Sequence, residues 1–311
     1  MQTTTQLKVM TWNIWGRLNR APQYTIAKKT ARQRAIECMR ESEADIIALI
    51  EAYGSAPQIA ADLGFHYYTP SADANLAIFS RYPLADTGPP SGLSSSSFIA
   101  ATATLPDGSK IRLYDIWLTS AGRHIVEIKN RELSDVEFCA GDDIRHDQLR
   151  ELLEHADLEK YLADDEVPLI VAGDFNCVSH RDYTADTKRQ QLNYGRLLSG
   201  KTSAAMDQYG FVDSYRCVHP KITRETLGHT WTTVGQGFTY RAEEGFVPVD
   251  KNPLSAYRDL YSRIDFIYCR GRRIEPVAAR TIAHHASNKK RSFPEFPSDH
   301  AAVLTTFELK G

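Results

Sequence analysis

Val167-Pro168-Leu169-Ile170-Val171-Ala172-Gly173-Asp174-Phe175-Asn176 decides the fold. The continuous apolar run, bounded by polar and proline-containing sequence, reads as a strand buried on both faces. Gly173 lets the chain turn tightly as it leaves the sheet. Asp174 and Asn176 follow at the strand's mouth, and residues two apart along a strand point to the same side. A carboxylate beside a neutral amide suits a site that orients a water and holds an anionic oxygen. Taken alone, Gly173-Asp174-Phe175-Asn176 reads equally well as a strand ending in an Asx turn.

Working outward, short apolar strands alternate with amphipathic helices. Residues 144–162 (IRHDQLRELLEHADLEKYL) read as one helix that feeds into the strand before Asp174. Residues 7–15 read as a first strand, 28–42 as a helix, and 45–50 and 75–79 as further strands. Residues 98–104 and 110–118 flank Pro106-Asp107-Gly108-Ser109, a strong hairpin signal. Later strands are read at 228–234, 263–269 and 301–309. Two stretches, about 120–143 and 179–228, carry no clear element. Loops of that length inside a compact domain often cover or line a site. No linker or internal repeat divides the chain, so a single domain over 1–311 is expected. Its class is α/β: two packed mixed sheets with helices on the outer faces.

The chain has 311 residues, and its 42% hydrophobic and 24% charged content is that of an ordinary globular protein. A net charge of −2 argues against a strong overall positive field for nucleic acid, while leaving room for a locally basic groove. Five scattered cysteines, with no CxxC pair, argue against a disulfide framework or a zinc knuckle. No signal-peptide core and no stretch of membrane-spanning length is visible, so a cytoplasmic location is expected.

Acids and amides recur at strand ends. Asn13 closes the first strand, Glu51 follows Asp45-Ile46-Ile47-Ala48-Leu49-Ile50, and Asp174 and Asn176 follow the central run. Asp265 lies among strand formers in Ser262-Arg263-Ile264-Asp265-Phe266-Ile267-Tyr268, and Asp299 and His300 precede the last strand. Each has a plain explanation, as a turn cap, a solvated acid or a partner for an arginine. Together they supply hard oxygen ligands and one imidazole, a set suited to Mg²⁺ or Mn²⁺ rather than zinc.

The order Trp12-Asn13, Glu51, Gly173-Asp174-Phe175-Asn176, Arg263-Ile264-Asp265-Phe266 and Ser298-Asp299-His300 resembles the endonuclease/exonuclease/phosphatase superfamily. That superfamily includes abasic-site endonucleases, deoxyribonucleases, neutral sphingomyelinases and inositol polyphosphate 5-phosphatases. Asn75-Leu76-Ala77-Ile78-Phe79-Ser80-Arg81-Tyr82-Pro83 also matches its usual strand-and-turn segment. The resemblance implies a four-layer α/β sandwich with the site at one edge of two packed sheets. It implies Glu51 as the principal metal carboxylate, with Asn13 and Asp299 in or beside the metal shell. It implies Asp174 as the residue that orients the attacking water and Asn176 as the amide that holds a phosphoryl oxygen. Asp265 and His300 are implied as a carboxylate–imidazole pair contacting the phosphate. The expected activity is metal-dependent hydrolysis of a phosphate ester, most readily a phosphodiester, with a DNA or RNA nuclease as the alternative. A catalytically silent binding protein on the same fold is the remaining class.

Two positions depart from the family pattern. Trp15 stands where abasic-site endonucleases carry an acid, closer to the Asn-x-Trp of some sphingomyelinase-type phosphodiesterases, and it reads equally as a core aromatic. Trp117 stands where many members place a phosphate-binding histidine, and Arg123 and His124 are the nearest replacements in sequence. The basic pieces Arg270-Gly271-Arg272-Arg273 and Lys289-Lys290-Arg291 read as solvated loops, and Trp231 as a packed wall.

Overall fold

The computed structural model describes residues 5–18, 29–121, 125–129, 132–231, 233, 238–241, 245–248, 261–283 and 296–310. In chain order the first half holds β1 (Thr5–Asn13), α1 (Ala31–Ser42), β2 (Ile46–Ile50), α2 (Ala56–Leu63), β3 (His66–Tyr68), β4 (Ala77–Ser80), β5 (Leu84–Gly88), β6 (Phe98–Thr104) and β7 (Lys110–Trp117). Next come α3 (Asp135–Ala140), α4 (Asp143–Leu153), α5 (Ala156–Ala163), β8 (Leu169–Asp174), α6 (Ala185–Arg189), α7 (Lys201–Gln208), β9 (Val212–Asp213) and α8 (Ser214–Val218). β10 (Phe238–Arg241), β11 (Gly245–Pro248), β12 (Asp265–Arg270), β13 (Ile274–Ile282) and β14 (Ala302–Leu309) follow.

One six-stranded sheet runs β13-β14-β1-β2-β4-β3 and the other β5-β6-β7-β8-β12-β9, while β10 and β11 pair antiparallel as a separate two-stranded sheet. Each large sheet is mixed: β1–β2 and β7–β8 are parallel, and the flanking pairs are antiparallel. Leu7, Val9, Ile46 and Ile50 of the first sheet meet Ile99, Leu113, Ile170 and Ile267 of the second in one buried layer. On the far side of the first sheet, Met10, Trp12 and Leu49 pack against Ala35 and Met39 of α1 and Ile59 of α2. On the far side of the second, Tyr114, Val171 and Phe266 pack against Leu149 and Leu152 of α4 and Met206 of α7. The result is the expected four-layer sandwich. Strands buried on both faces need apolar side chains at every position, which is why β2 and β8 read as continuous runs. Each large aliphatic side chain buried this way stabilises by about 1.5–3 kcal/mol.

Local signals set the element ends. Thr30 and Gln33 form a capping box that starts α1, with Thr30 Oγ1 accepting from the Gln33 backbone N–H and Gln33 Oε1 from that of Thr30. The helix read over 144–162 is two helices. His155 Nδ1 accepts the Asp157 backbone N–H at 3.0 Å, capping α5, and its Nε2 lies 2.9 Å from the Ser91 carbonyl. The stretch 120–143 contains a 3₁₀ turn at Ile125–Lys129 and α3, and the stretch 179–228 contains α6, α7, β9 and α8. The strand read over 228–234 is reduced, among the described residues, to isolated bridges from Trp231 to Ser262 and His300. No helix among the described residues is long and apolar enough to cross a membrane.

Under the end of β12 lies a buried ionic cluster. Arg263 donates to both carboxylate oxygens of Asp182 and of Asp213 at 2.6–3.1 Å, and Arg216 also binds Asp182. Two cations and two anions balance there. Burial raises the Asp182 pKa, but Arg263 and Arg216 outweigh it and hold it below the usual carboxylate value.

Candidate active site

The site lies at one edge of the two sheets, where β1 and β8 end and β12 begins. Gly173 has φ near 152°, and a Cβ there would lie 1.9 Å from the Ile116 carbonyl oxygen on β7, so no side chain fits. That close approach brings β8 against β7 up to its last residue. Asp174 then stands opposite Asp265 of β12 on one side and Trp117 of β7 on the other.

Asp174 is the hub. Its Oδ1 accepts the Asn176 backbone N–H at 2.9 Å, and its Oδ2 accepts Nδ2 of Asn13 at 3.1 Å and of Asn176 at 3.3 Å. Asn176 sits in the left-handed region at φ 50°, a conformation asparagine tolerates, and its amide also donates to the Leu118 carbonyl at 2.9 Å. Asn13 donates onward to Glu51 Oε1 at 3.1 Å, so one amide hydrogen-bonds carboxylates carried by both sheets. Glu51, half-buried and also left-handed at φ 62°, has its backbone N–H held by Asn75 Oδ1 at 2.9 Å.

The other wall comes from the C-terminal segment. His300 Nδ1 lies 2.9 and 3.2 Å from the two oxygens of Asp265, and its Nε2 lies 4.0 Å from Asp174 Oδ2. With Nδ1 donating to Asp265, Nε2 is turned toward Asp174 as the free end of the ring. Trp12 Nε1 donates to the His300 carbonyl, and Ser298 Oγ donates to the Asn13 carbonyl while accepting the His300 backbone N–H. These bonds fix Ser298-Asp299-His300 on β1. Asp299 is buried: its Oδ2 accepts Trp231 Nε1 at 3.1 Å, and its Oδ1 has no hydrogen-bond partner among the described residues.

The electrostatics follow from four buried or half-buried carboxylates around one imidazole. Burial first, then Asp265, pushes Asp174 up to about 7 against the opposing pull of His300. Burial likewise raises Asp299 to about 6, with Glu51 and Asp265 adding to it. Burial lowers His300, but Asp265 and Asp174 overcome this and raise it to about 10, so the ring is an imidazolium at neutral pH. An unpartnered buried carboxylate oxygen is rare and calls for a cation or a donor. Glu51, Asp299 and the Asn13 oxygen are hard donors of the kind Mg²⁺ or Mn²⁺ takes. Asp174, Asp265 and His300 also bring one ligand atom each within 4.8 Å of one another, but the His300–Asp265 bond commits that ring nitrogen.

Seven residues singled out in the sequence (Asn13, Glu51, Asp174, Asn176, Asp265, Asp299 and His300) are thus drawn into one edge of the sandwich. Arg123, His124 and Lys289-Lys290-Arg291 lie outside the described residues. Trp15 is buried in the outer core of the first sheet, and its backbone N–H donates to Asn13 Oδ1 at 3.0 Å. Trp117 packs against the layer between the sheets. Three supporting residues escaped the sequence reading in these roles. Asn75 holds Glu51, Trp231 holds Asp299, and Thr230 Oγ1 accepts the backbone N–H groups of Ile264 and Asp265 at 3.0 and 3.1 Å. No local sequence signal marks these roles, since each runs through a partner distant in the chain.

Residues 10–300 match a family model described as the Endonuclease/Exonuclease/phosphatase family. A protein of Caenorhabditis elegans, uncharacterized protein F14F9.5, is 24% identical over 324 residues, covering 98% of this chain and 92% of its own length. Among solved structures, D. rerio TDP2 complexed with single strand DNA product superposes with a TM-score of 0.58 at 18% identity, covering 97% of this chain and 99% of that one. An AP endonuclease from Archaeoglobus fulgidus gives 0.57 at 19% identity, covering 96% and 98% of the two chains. The human Nocturnin catalytic domain with bound sulfate anion gives 0.55 at 15% identity, covering 99% and 97%. At these identities the three structures share the fold.

Proposed function

This chain belongs to the Endonuclease/Exonuclease/phosphatase family, and from that premise we propose that it is a divalent-metal-dependent hydrolase of a phosphodiester. The observation that carries the reading is the unbroken hydrogen-bonded path from Glu51 through Asn13 to Asp174 and Asn176, with the His300–Asp265 pair beside it. Glu51, Asp299 and Asn13 would hold Mg²⁺ or Mn²⁺, and Asp299 Oδ1, without a hydrogen-bond partner among the described residues, supports this. Such an ion, when bound, neutralises charge on the phosphoryl and leaving oxygens.

Asp174 orients the attacking water for in-line displacement and takes its proton. Its raised pKa suits proton acceptance, and the Asn13 and Asn176 amides fix its oxygens in direction. Asn176 keeps its bond to the Leu118 carbonyl and turns the hydrogen of its longer, 3.3 Å contact with Asp174 toward a phosphoryl oxygen when substrate is present. His300, charged and fixed through Nδ1 by Asp265, donates from Nε2 to another, where negative charge grows in the transition state. Trp117 adds no donor of the histidine kind at its position, so His300 and Asn176 carry more of the phosphate contact.

Assays of a non-nucleotide phosphodiester, a phosphomonoester, and single- and double-stranded nucleic acid, each with Mg²⁺, Mn²⁺ or chelator, test this reading. Metal-dependent turnover of a diester is expected. Turnover confined to nucleic acid, with steep salt sensitivity, would favour the nuclease reading, which the named activities of the D. rerio and A. fulgidus relatives support. Absence of metal-dependent turnover on every substrate would leave a binding protein on this fold.

A further inference from the structure

We infer that Asn75 is a positioning residue for Glu51, and that hydrogen bonds running through Ser96, Ser97 and Gln148 couple Glu51 on the first sheet to Asn176 on the second. The inference rests on the reading of Glu51 as a metal carboxylate. Glu51 holds a left-handed backbone that only glycine adopts freely, so something must keep it there. Asn75, 5% exposed, does so: its Oδ1 accepts the Glu51 backbone N–H at 2.9 Å and its carbonyl accepts that of Ala52 at 2.8 Å. The other end of the same amide donates to the Ser96 carbonyl at 3.0 Å.

From there the path crosses to the second sheet. The Ser97 carbonyl accepts the Trp117 backbone N–H at 2.9 Å. Ser97 Oγ accepts Gln148 Nε2 at 2.8 Å, and Gln148 Oε1 accepts the Thr119 N–H at 2.8 Å. Between Trp117 and Thr119, the Leu118 N–H donates to the Asp174 carbonyl at 3.0 Å and the Leu118 carbonyl accepts from the Asn176 side chain at 2.9 Å. The four-serine tract Ser94–Ser97 is therefore a bracket between the two halves of the site. The chemistry specifies an amide at 75: an aspartate would set an anion against the Ser96 carbonyl, and an apolar residue would leave both partners unmet.

Four variants of the full chain test this, read by Mn²⁺ titration calorimetry, amide hydrogen exchange without metal, and steady-state kinetics on the diester substrate. Asn75→Ala is expected to weaken Mn²⁺ binding about 10- to 100-fold and to speed exchange at the Glu51 and Ala52 amides. Asn75→Asp is expected to keep Glu51 amide protection while losing the Ser96 contact. Gln148→Ala is expected to lower kcat about tenfold with little change in KM, because Asn176 is displaced by a fraction of an ångström. Gln148→Glu, which still accepts from Thr119 and can accept the Ser97 hydroxyl proton, is expected to restore kcat. Glu51→Gln is the control for the metal reading. If it abolishes Mn²⁺ binding while Asn75→Ala leaves both affinity and amide exchange at the original values, the positioning role is overturned alone. If Glu51→Gln binds Mn²⁺ normally, the metal reading itself fails. Should Asn75→Ala not fold, the Gln148 pair decides: equal kcat in the Ala and Glu variants overturns the coupling.

Discussion

Asp174 is the residue on which the site's geometry converges, since both neighbouring amides and the free face of His300 address it. Replacing it by asparagine keeps the shape and removes the proton acceptor. Asp174→Asn is expected to lower kcat roughly 100- to 1,000-fold, the usual loss for one such group. The thermal midpoint should fall modestly, because the new amide nitrogen meets donors that the carboxylate accepted. Steady-state kinetics beside a melting curve checks both, and full activity in this variant would sink the assigned role. At this scale much of the candidate site is legible in sequence, because acids and amides recur together at the ends of apolar strands, although each alone has a plain structural explanation. Asn75, Trp231 and Thr230 are not legible in that way. Their roles exist only through partners 24, 68 and 35 positions distant, and nothing local marks them.

Among the elements, β2 and β8 are the most readable, because burial on both faces demands a continuous apolar run. The edge strands are not. β3 is three residues of mostly exposed sequence, β5 is mostly exposed, and β13 carries Pro276 beside a register shift at Pro276/Ala278. Proline in a strand belongs at edges and bulges, and it disguises the strand. The break between α4 and α5 is hidden because histidine is an uncommon cap. β12 is held by the Arg263 cluster, which leads to a second expectation. Arg263→Met should destabilise by about 3–5 kcal/mol, since Asp182 and Asp213 are left buried without their main cation. Because Asp182 has a depressed pKa in the folded chain, its contribution is present above the unfolded value near pH 4. It is lost as pH falls through the lower folded value. The gap in urea midpoint between the original and Arg263→Met should therefore narrow below about pH 4; a gap that is constant from pH 7 to pH 3 would refute the ionic account.

For the whole molecule, charge at the site links metal, protons and stability. Asp174 and Asp299 have folded pKa values raised to about 7 and about 6, so the metal-free folded chain binds more protons than the unfolded chain across that interval. Stability without metal then falls as pH rises from about 4 through those values. His300, raised from 6.5 to about 10, adds to this: its contribution is full below its unfolded value and is lost progressively as pH rises from there through about 10. A divalent cation would take the place of the carboxyl protons. Melting midpoints with MgCl₂ and with chelator should therefore differ more at pH 8 than at pH 5, and equal differences would argue against a cation at these carboxylates.

The bonds from Trp12 to His300 and from Ser298 to Asn13 join positions 288 and 285 residues apart. Since β14 also lies between β13 and β1, the first sheet has an unpaired edge along β1 until the last strand is made. Synthesis runs from the N-terminus, so a nascent chain carries that open edge, and a half-built candidate site, until β14 has been made. Contacts of this sequence span close late and slowly. The candidate site is therefore completed only when β14 pairs with β1, and a chain that has not yet made that strand is a candidate for chaperone capture.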